Sequence, residues 1–275
     1  MASPTVEPVR LSGWALVLGA SSGFGEATSV ALARAGLNIF GVHLDRRATL
    51  PNVERIVGEI RAMGREVHFF NVNAADDEKR SEVIAAIQGI CGAAAPESRV
   101  SVVLHSLAFG TLKPFFAEPR ENALTKAQLE MTLDVMANSL VYWVQDLHFA
   151  DLLAPGGRVF AMTSAGDHIV WPAYGAVSAA KCALESYVRQ LAVELAPRGV
   201  AVNALRAGVT DTPALRKIPG NAGMIERTLA LHPAGRLTTP ADVARALVSL
   251  SGAGGAWVSG NVIGVDGAED IAGGR

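Results

Sequence analysis

The run Trp14-Ala15-Leu16-Val17-Leu18-Gly19-Ala20-Ser21-Ser22-Gly23-Phe24-Gly25 decides the fold. Trp14–Leu18 is a continuous apolar run of the kind that forms a strand buried on both faces, and the segment Gly25–Ala35 that follows has helical character. Glycines at 19, 23 and 25 permit a tight turn between the two and a close approach of the backbone to a pyrophosphate. The start of the helix supplies amide donors and a favourable dipole. Gly19, Ser21, Ser22, Gly23, Phe24 and Gly25 are therefore candidate cofactor-binding residues. A turn without a ligand is the alternative, and the strand-to-helix context near the amino terminus favours the dinucleotide.

Outward from this turn, strand-like runs recur at Asn38–Leu44, Glu66–Asn71, Val100–His105, Arg158–Thr163, Val200–Leu205 and Asn261–Val265. Helical periods intervene at Asn52–Met63, Asp77–Ile90, Lys126–Leu153, Tyr174–Ala196 and Ala241–Leu250. Continuous apolar strands separated by helices imply an α/β architecture: a doubly wound parallel sheet of about seven strands, covered by helices on both faces. No linker, composition break or repeat interrupts the pattern, so residues 1–275 are expected to form a single domain with 1–10 as a flexible lead-in. Thr239-Pro240-Ala241-Asp242 reads as a helix start, with Thr239 as cap and an acid in the first turn. Thr212–Leu237 differs from the rest. Pro213, Pro219, Gly220, Gly223 and Pro233 are mixed there with Leu215, Ile218, Met224, Ile225 and Leu229, which points to a flap over an apolar substrate. A packed surface helix is the alternative, and a helix around Ala222–Leu231 fits either view.

The chain has 275 residues, half of them apolar and 18% charged, with a net charge of −2. That is material for one large core in a soluble globular protein. No basic face is available for a nucleic-acid backbone. Met1–Leu11 lacks the features of a signal peptide and no apolar run is long enough for a membrane span, so a cytoplasmic location is expected. Cys91 and Cys182 lie far apart without paired spacing, which suggests neither a disulfide framework nor a zinc site. His43, His68, His148, His168 and His232 are scattered, and no metal is expected.

The chemistry is read from Tyr174 and Lys181, seven positions apart at the start of a long helical segment. Offsets of three and seven fall near one helical face, so Tyr174, Val177 and Lys181 would line one cleft. A nicotinamide ketone reductase needs its phenol beside the oxygen of the carbon that accepts hydride. When hydride goes instead to the β-carbon of an enoyl thioester, the developing charge lies on a carbonyl oxygen two carbons further on. Moving a tyrosine back by three residues displaces the phenol roughly 4–5 Å along a helix, a shift of the right size.

The Gly-x3-Gly-x-Gly spacing, with Asn203-Ala204-Leu205-Arg206-Ala207-Gly208, Gly260 and Val265-Asp266-Gly267, resembles the short-chain dehydrogenase/reductase family from Leu11 to Ala268. That family has a Rossmann-like fold and an ordinary Tyr-x3-Lys pair, which would place a tyrosine where Val177 stands. Tyr-x6-Lys and His105-Ser106-Leu107-Ala108-Phe109 after the fourth strand look like the enoyl-acyl-carrier-protein reductases. Ser164 stands where the best-known bacterial members carry a second tyrosine, and Gly19–Gly25 lacks their stretched glycine motif. The chain is thus closer to the ketoreductase-like branch of enoyl reductases, as Asp211–Leu215 also indicates.

The resemblance implies that Tyr174 hydrogen-bonds the thioester carbonyl, and that Lys181 holds the nicotinamide ribose and lowers the phenol's pKa. Ser164 would be a second donor or would shape the pocket. It also implies cofactor contacts at Asn71 (with the adenine), Val72, Ser106, Leu107, Ala108, Gly208, Thr210 and Thr212, and substrate contacts at Phe109, Leu215 and Ile218. Asn138 lies where ketoreductases hold a relay water, and packing is the reading preferred here. His43-Leu44-Asp45-Arg46-Arg47 decides the cofactor's phosphate. An acid there favours NADH and arginine favours NADPH; His43 holds the usual acid position and Arg46 and Arg47 follow, so NADPH is preferred over NADH. Surface arginines without a ligand are the alternative. The expected substrate is an acyl thioester on an acyl carrier protein, and the expected assembly is a homotetramer built on Lys126–Leu153 and Tyr174–Ala196. A 3-oxoacyl or other carbonyl reductase using Ser164 and Asn138 is the competing enzyme reading, and a non-catalytic cofactor-binding sensor is the reading from another class.

Overall fold

A computed structural model describes residues 9–92 and 98–273. The expected lead-in lies outside the described residues as far as Pro8. In chain order the principal elements are β1 (Trp14–Leu18), α1 (Gly23–Ala35), β2 (Asn38–His43), α2 (Leu50–Ala62), β3 (Val67–Asn71), α3 (Asp77–Cys91), β4 (Val100–His105), α4 (Lys126–Leu133), α5 (Ser139–Phe149), β5 (Leu153–Ser164), α6 (Gly175–Leu195), β6 (Ala201–Ala207), α7 (Asn221–Leu231), α8 (Pro240–Ser251), β7 (Val262–Val265) and α9 (Glu269–Gly273). The seven strands form one sheet in the order β3-β2-β1-β4-β5-β6-β7, every pair parallel.

All-parallel pairing requires helical crossovers, and these cover both faces, which is why β1 is buried along its whole length. Leu16, Phe40, Val103 and Val159 belong to one core cluster with Trp143, Leu147, Leu184 and Val188 from α5 and α6. Val17, Ile39 and Leu104 point the other way, to Leu32, Ile56 and Leu247 from α1, α2 and α8. The register sets Leu18 beside His105, and Ser164 beside Ala207. The residues that follow β1, β4, β5 and β6 therefore emerge along one edge, where open parallel sheets bind ligands.

Local signals account for several boundaries. Thr239 and Asp242 form a reciprocal capping box with Pro240 in the first turn of α8. Thr125 and Gln128 do the same for α4. The single helix expected over Lys126–Leu153 is corrected: a π-helical turn at Asp134–Asn138 separates α4 from α5, and α5 ends at Phe149. Asp151 then takes a positive φ of 55° and the Leu152 amide returns to the Leu147 carbonyl, so the chain turns directly into β5. β5 is longer than expected because it begins at Leu153. Thr212–Leu237 contains both an irregular entry and the helix α7, in which Thr228 is the buried residue. No helix among the described residues is long and apolar enough to cross a membrane.

Candidate active site

The glycine turn is built for close approach. Gly19 has φ 89°, and a Cβ on it would lie 2.5 Å from the Ser106 carbonyl oxygen; a Cβ on Gly25 would strike the Gly19 carbonyl. The Ser106 amide donates to the Leu18 carbonyl at 2.8 Å, so the turn and the end of β4 are locked together. Across the turn, Gly23 packs 3.4 Å (as a built Cβ) from the Thr212 methyl. The Ser22 hydroxyl does not cap α1, which leaves the first-turn amides of a thirteen-residue helix pointing out of the turn. A cradle with no room for side chains beside an uncapped helix start fits a dinucleotide pyrophosphate. Asn52, on α2, donates to the Ser21 carbonyl at 2.8 Å and to Glu26 at 3.0 Å, and so braces the turn from below. Sequence reasoning passed over Asn52 because nothing local marks a contact made across 31 positions.

At the end of β2, His43 Nδ1 lies 2.9 Å from the Asp45 carboxylate. Partial burial acts to raise the Asp45 pKa, but interactions with Ser21, Thr49 and His43 outweigh it and hold the carboxyl below its ordinary value. Asp45 is thus an anion facing the glycine turn, while Arg46 and Arg47 are exposed. Asn71 donates through Nδ2 to the Asp45 carbonyl at 3.0 Å and accepts from its amide at 2.9 Å. The side chain expected to meet the adenine is therefore engaged with the Asp45 backbone, because β2 and β3 end side by side. The adjacent Val72 amide donates to the His43 carbonyl at 2.8 Å.

Tyr174 immediately precedes α6, and Lys181 follows two turns later on the same helix. The Tyr174 hydroxyl lies 3.3 Å from Ser164 Oγ at the end of β5. Gly166 provides the space: a Cβ there would strike the Tyr174 ring. Burial pushes the phenol above its ordinary value, with the Ser164 bond opposing. The expectation that Lys181 would draw it down is corrected, and the phenol is a neutral donor near neutral pH. Lys181 is 6% exposed and donates to the Met162 carbonyl at 2.7 Å. Burial lowers its pKa to about 8, with Glu185 pulling the other way. The ammonium has three donors, so two remain for ligand hydroxyls. Val177 is 5% exposed and belongs to the core, packed beside Gly110.

His105 is fully buried, and Ser139 Oγ, which donates to the Val135 carbonyl, lies 2.9 Å from its Nε2. Since that hydroxyl proton is already used, Nε2 carries the histidine's proton. Burial, and then the charge on Lys181, lower the His105 pKa to about 3. Asn138 Oδ1 accepts from Tyr187 at 2.9 Å. Thr210 donates to the Gly208 carbonyl at 2.9 Å and Thr212 accepts from the Leu215 amide at 3.2 Å, which fixes the entry to the Thr212–Leu237 segment. Leu215 is buried and Ile218 half-buried, while Ala108 and Phe109 are exposed. Two further aromatics frame the cleft. The Phe115 ring lies against Gly175, and Trp171 donates to the Pro219 carbonyl at 3.0 Å. No group of three or more His, Cys, Asp or Glu residues suited to a metal occurs among the described residues.

A family model described as Enoyl-(Acyl carrier protein) reductase matches residues 19–268. The chain belongs to the short-chain dehydrogenase/reductase family of oxidoreductases. It is 27% identical over 258 residues to 1-cyclohexenylcarbonyl-CoA reductase of Streptomyces collinus, an alignment covering 93% of this chain and 86% of the relative. It is 25% identical to a 3-oxoacyl-[acyl-carrier-protein] reductase of Thermotoga maritima, over 92% of this chain and 95% of that one. Among solved structures, an enoyl-acyl-carrier-protein reductase of Anaplasma phagocytophilum in complex with NAD shares the fold, with a TM-score of 0.78, 19% identity, and coverage of 94% of this chain and 92% of that one.

Proposed function

We propose that this protein reduces the C2=C3 double bond of an enoyl thioester with a nicotinamide dinucleotide, as an enoyl-acyl-carrier-protein reductase of fatty-acid synthesis. The observation that carries the proposal is the place of the phenol: Tyr174 stands beside Ser164 at the mouth of α6, while the position of a ketoreductase tyrosine is filled by core Val177. The cofactor supplies hydride when bound. Tyr174 donates to the thioester oxygen as negative charge develops there, and Ser164 is the second donor to the same region. Lys181 holds ribose hydroxyls with its remaining N–H groups. The glycine turn and the start of α1 hold the pyrophosphate, with Ser106, Leu107, Gly208, Thr210 and Thr212 closing around it. A relative named for a cyclic enoyl thioester supports the same reaction class.

Asp45 changes the cofactor preference. A carboxylate facing Ser21 suits ribose hydroxyls and repels a 2′-phosphate, so NADH is favoured over the NADPH that Arg46 and Arg47 indicated. The Thr212–Leu237 segment is the substrate flap, an acyl carrier protein presents the substrate, and the assembly is a homotetramer through α5 and α6, whose Phe149 and Val193 are exposed. The Ser164–Tyr174 pair favours one alternative, a carbonyl reductase with a displaced tyrosine. Crotonyl thioester and cofactor deuterated at the transferring position decide between them. Label at C3 of a saturated butyryl product is expected, and no transfer to crotonyl thioester would overturn the proposal.

A further inference from the structure

Charged side chains that the proposed chemistry leaves unused converge on the segment Asp266–Asp270, which contains the start of α9. Asp270 Oδ1 lies 2.9 Å from His168 Nε2, and its Oδ2 lies 2.9 Å from Arg206 at the end of β6. His168, on the loop that leads into Tyr174, has its other nitrogen 2.5 Å from Asp167. Glu269 accepts the Val209 amide through both oxygens, at 3.1 and 3.0 Å, where the chain leaves β6 for the flap. Gly208 leaves room for this, since a Cβ on it would lie 2.5 Å from Glu269 Oε2. At the far end of the flap, His232 Nε2 donates to the Asp266 carbonyl at 2.9 Å, while its Nδ1 accepts from the Ala234 amide at 3.0 Å. The loop before Tyr174, the entry to the flap and its exit are therefore all tied to five consecutive residues.

We propose that Asp266–Asp270 is a clasp that positions the Tyr174 cleft, with Glu269 and Asp270 as its positioning residues and His168 as its pH-sensitive link. The reason lies in the donor count. Both His168 nitrogens face carboxylates, and only the imidazolium has two N–H groups to satisfy them. A neutral imidazole must release one arm, so the loop before Tyr174 loosens from α9 or from Asp167. The facing charges are Asp167 on the same loop, Asp270 with Arg206 behind it, and Glu185 of α6, which neighbours Asp167. Cys182, exposed, also meets the Asp167 carbonyl at 3.4 Å, with its thiol pKa raised by partial desolvation and by the charges of Asp167 and Glu185, and so uncharged. Burial opposes the charged form of His168, but Asp167 and Asp270 outweigh it and raise the pKa. A raised pKa means that the clasp is complete below the ordinary imidazole value and is lost as pH rises through the raised one.

The inference rests on the Tyr174 cleft being the reaction site, and its test needs no substrate. Hydrogen exchange of 165–173 and 206–215 is followed at about pH 6 and about pH 8.5, corrected for intrinsic rates, in the wild type, Asp270→Asn and His168→Gln. The wild type should lose about tenfold protection in both segments at the higher pH, and Asp270→Asn should show that loss already at the lower one. His168→Gln should be insensitive to pH, with β1 and β4 as protected as in the wild type. A pH response that persists in His168→Gln overturns the clasp, as does wild-type protection in Asp270→Asn. If Asp270→Asn also loses protection in β1 and β4, His168→Gln alone decides. Inactivity towards enoyl thioesters would count against the proposed reaction and leave these exchange results as they are.

Discussion

Replacing Tyr174 by Phe separates catalysis from folding, because the phenol's contacts in the free protein are weak. Its distance of 3.3 Å from Ser164 exceeds the usual hydroxyl–hydroxyl separation of about 2.7–2.8 Å, so the ground-state bond contributes at most about 1 kcal/mol. The ring itself, lodged against Gly166, is retained. Melting temperature should therefore shift by no more than about 2–4 °C. The rate should change far more: removing one donor to a developing oxyanion costs about 10²–10³ in kcat, roughly 2.7–4 kcal/mol. Ser164 remains beside the vacated position, so Ser164→Ala should cost less alone, and the double variant should lose more than the product of the single losses as both donors to one oxygen disappear. Stopped-flow reduction of crotonyl thioester gives kcat, and cofactor fluorescence gives Kd, which should stay within about twofold because the phenol acts on charge in the transition state. Unchanged turnover in Tyr174→Phe, or a loss wholly explained by weaker cofactor binding, would mean that the phenol does not act on the developing charge.

Asp45→Ala should weaken NADH binding, and Arg46→Ala with Arg47→Ala should leave it nearly unaltered; titration of both cofactors would contradict this if the arginine pair governs NADH affinity. Lys181→Met should raise stability at neutral pH by up to roughly 3 kcal/mol, since burial lowers the lysine from 10.5 to about 8, while weakening cofactor binding. The sign follows from the direction: a depressed lysine pKa penalises folding below pH 8, and the penalty fades as pH rises towards the unfolded value, so the gain should shrink in alkaline melts. Gly166→Ala should cost about 1–3 kcal/mol by overpacking the Tyr174 ring and should lower kcat with cofactor Kd preserved, which thermal melts and titration check together. Exchange in Thr212–Leu237 should be fast in the free protein, where α7 buries little beyond Thr228, and slowed by cofactor with an acyl thioester if the segment closes over substrate. Protection equal to that of α6 without ligand would make the segment a packed structural helix.

The sheet was legible because parallel strands buried on both faces write themselves as apolar runs, unbroken in Trp14–Leu18 and interrupted only by Ser101 in Val100–Leu104. The glycine turn was legible because only glycine allows the Gly19–Ser106 and Gly25–Gly19 approaches. The pairing of Tyr174 with Lys181 followed from helical spacing, but spacing alone did not show that Val177, between them, is buried against Gly110 and the core. What could not be read were contacts between residues far apart in sequence. The join of Asn71 to Asp45, the brace from Asn52 to Ser21 and the ties from Asp270 to His168 and Arg206 each depend on where strand ends emerge. The break at Asp134–Asn138 was hidden because the apolar period runs through a π-helical turn without interruption.

On the proposed mechanism Tyr174 serves a charge two carbons away from the hydride acceptor. Steady-state oxidation of NADH with crotonyl and acetoacetyl thioesters, offered side by side to the wild-type protein, tests it most directly. The kcat/KM for the crotonyl thioester should lie at least about a hundredfold above that for the acetoacetyl thioester, the factor expected from one well-placed oxyanion donor. Equal or greater efficiency with the acetoacetyl thioester would contradict it and make the protein a carbonyl reductase.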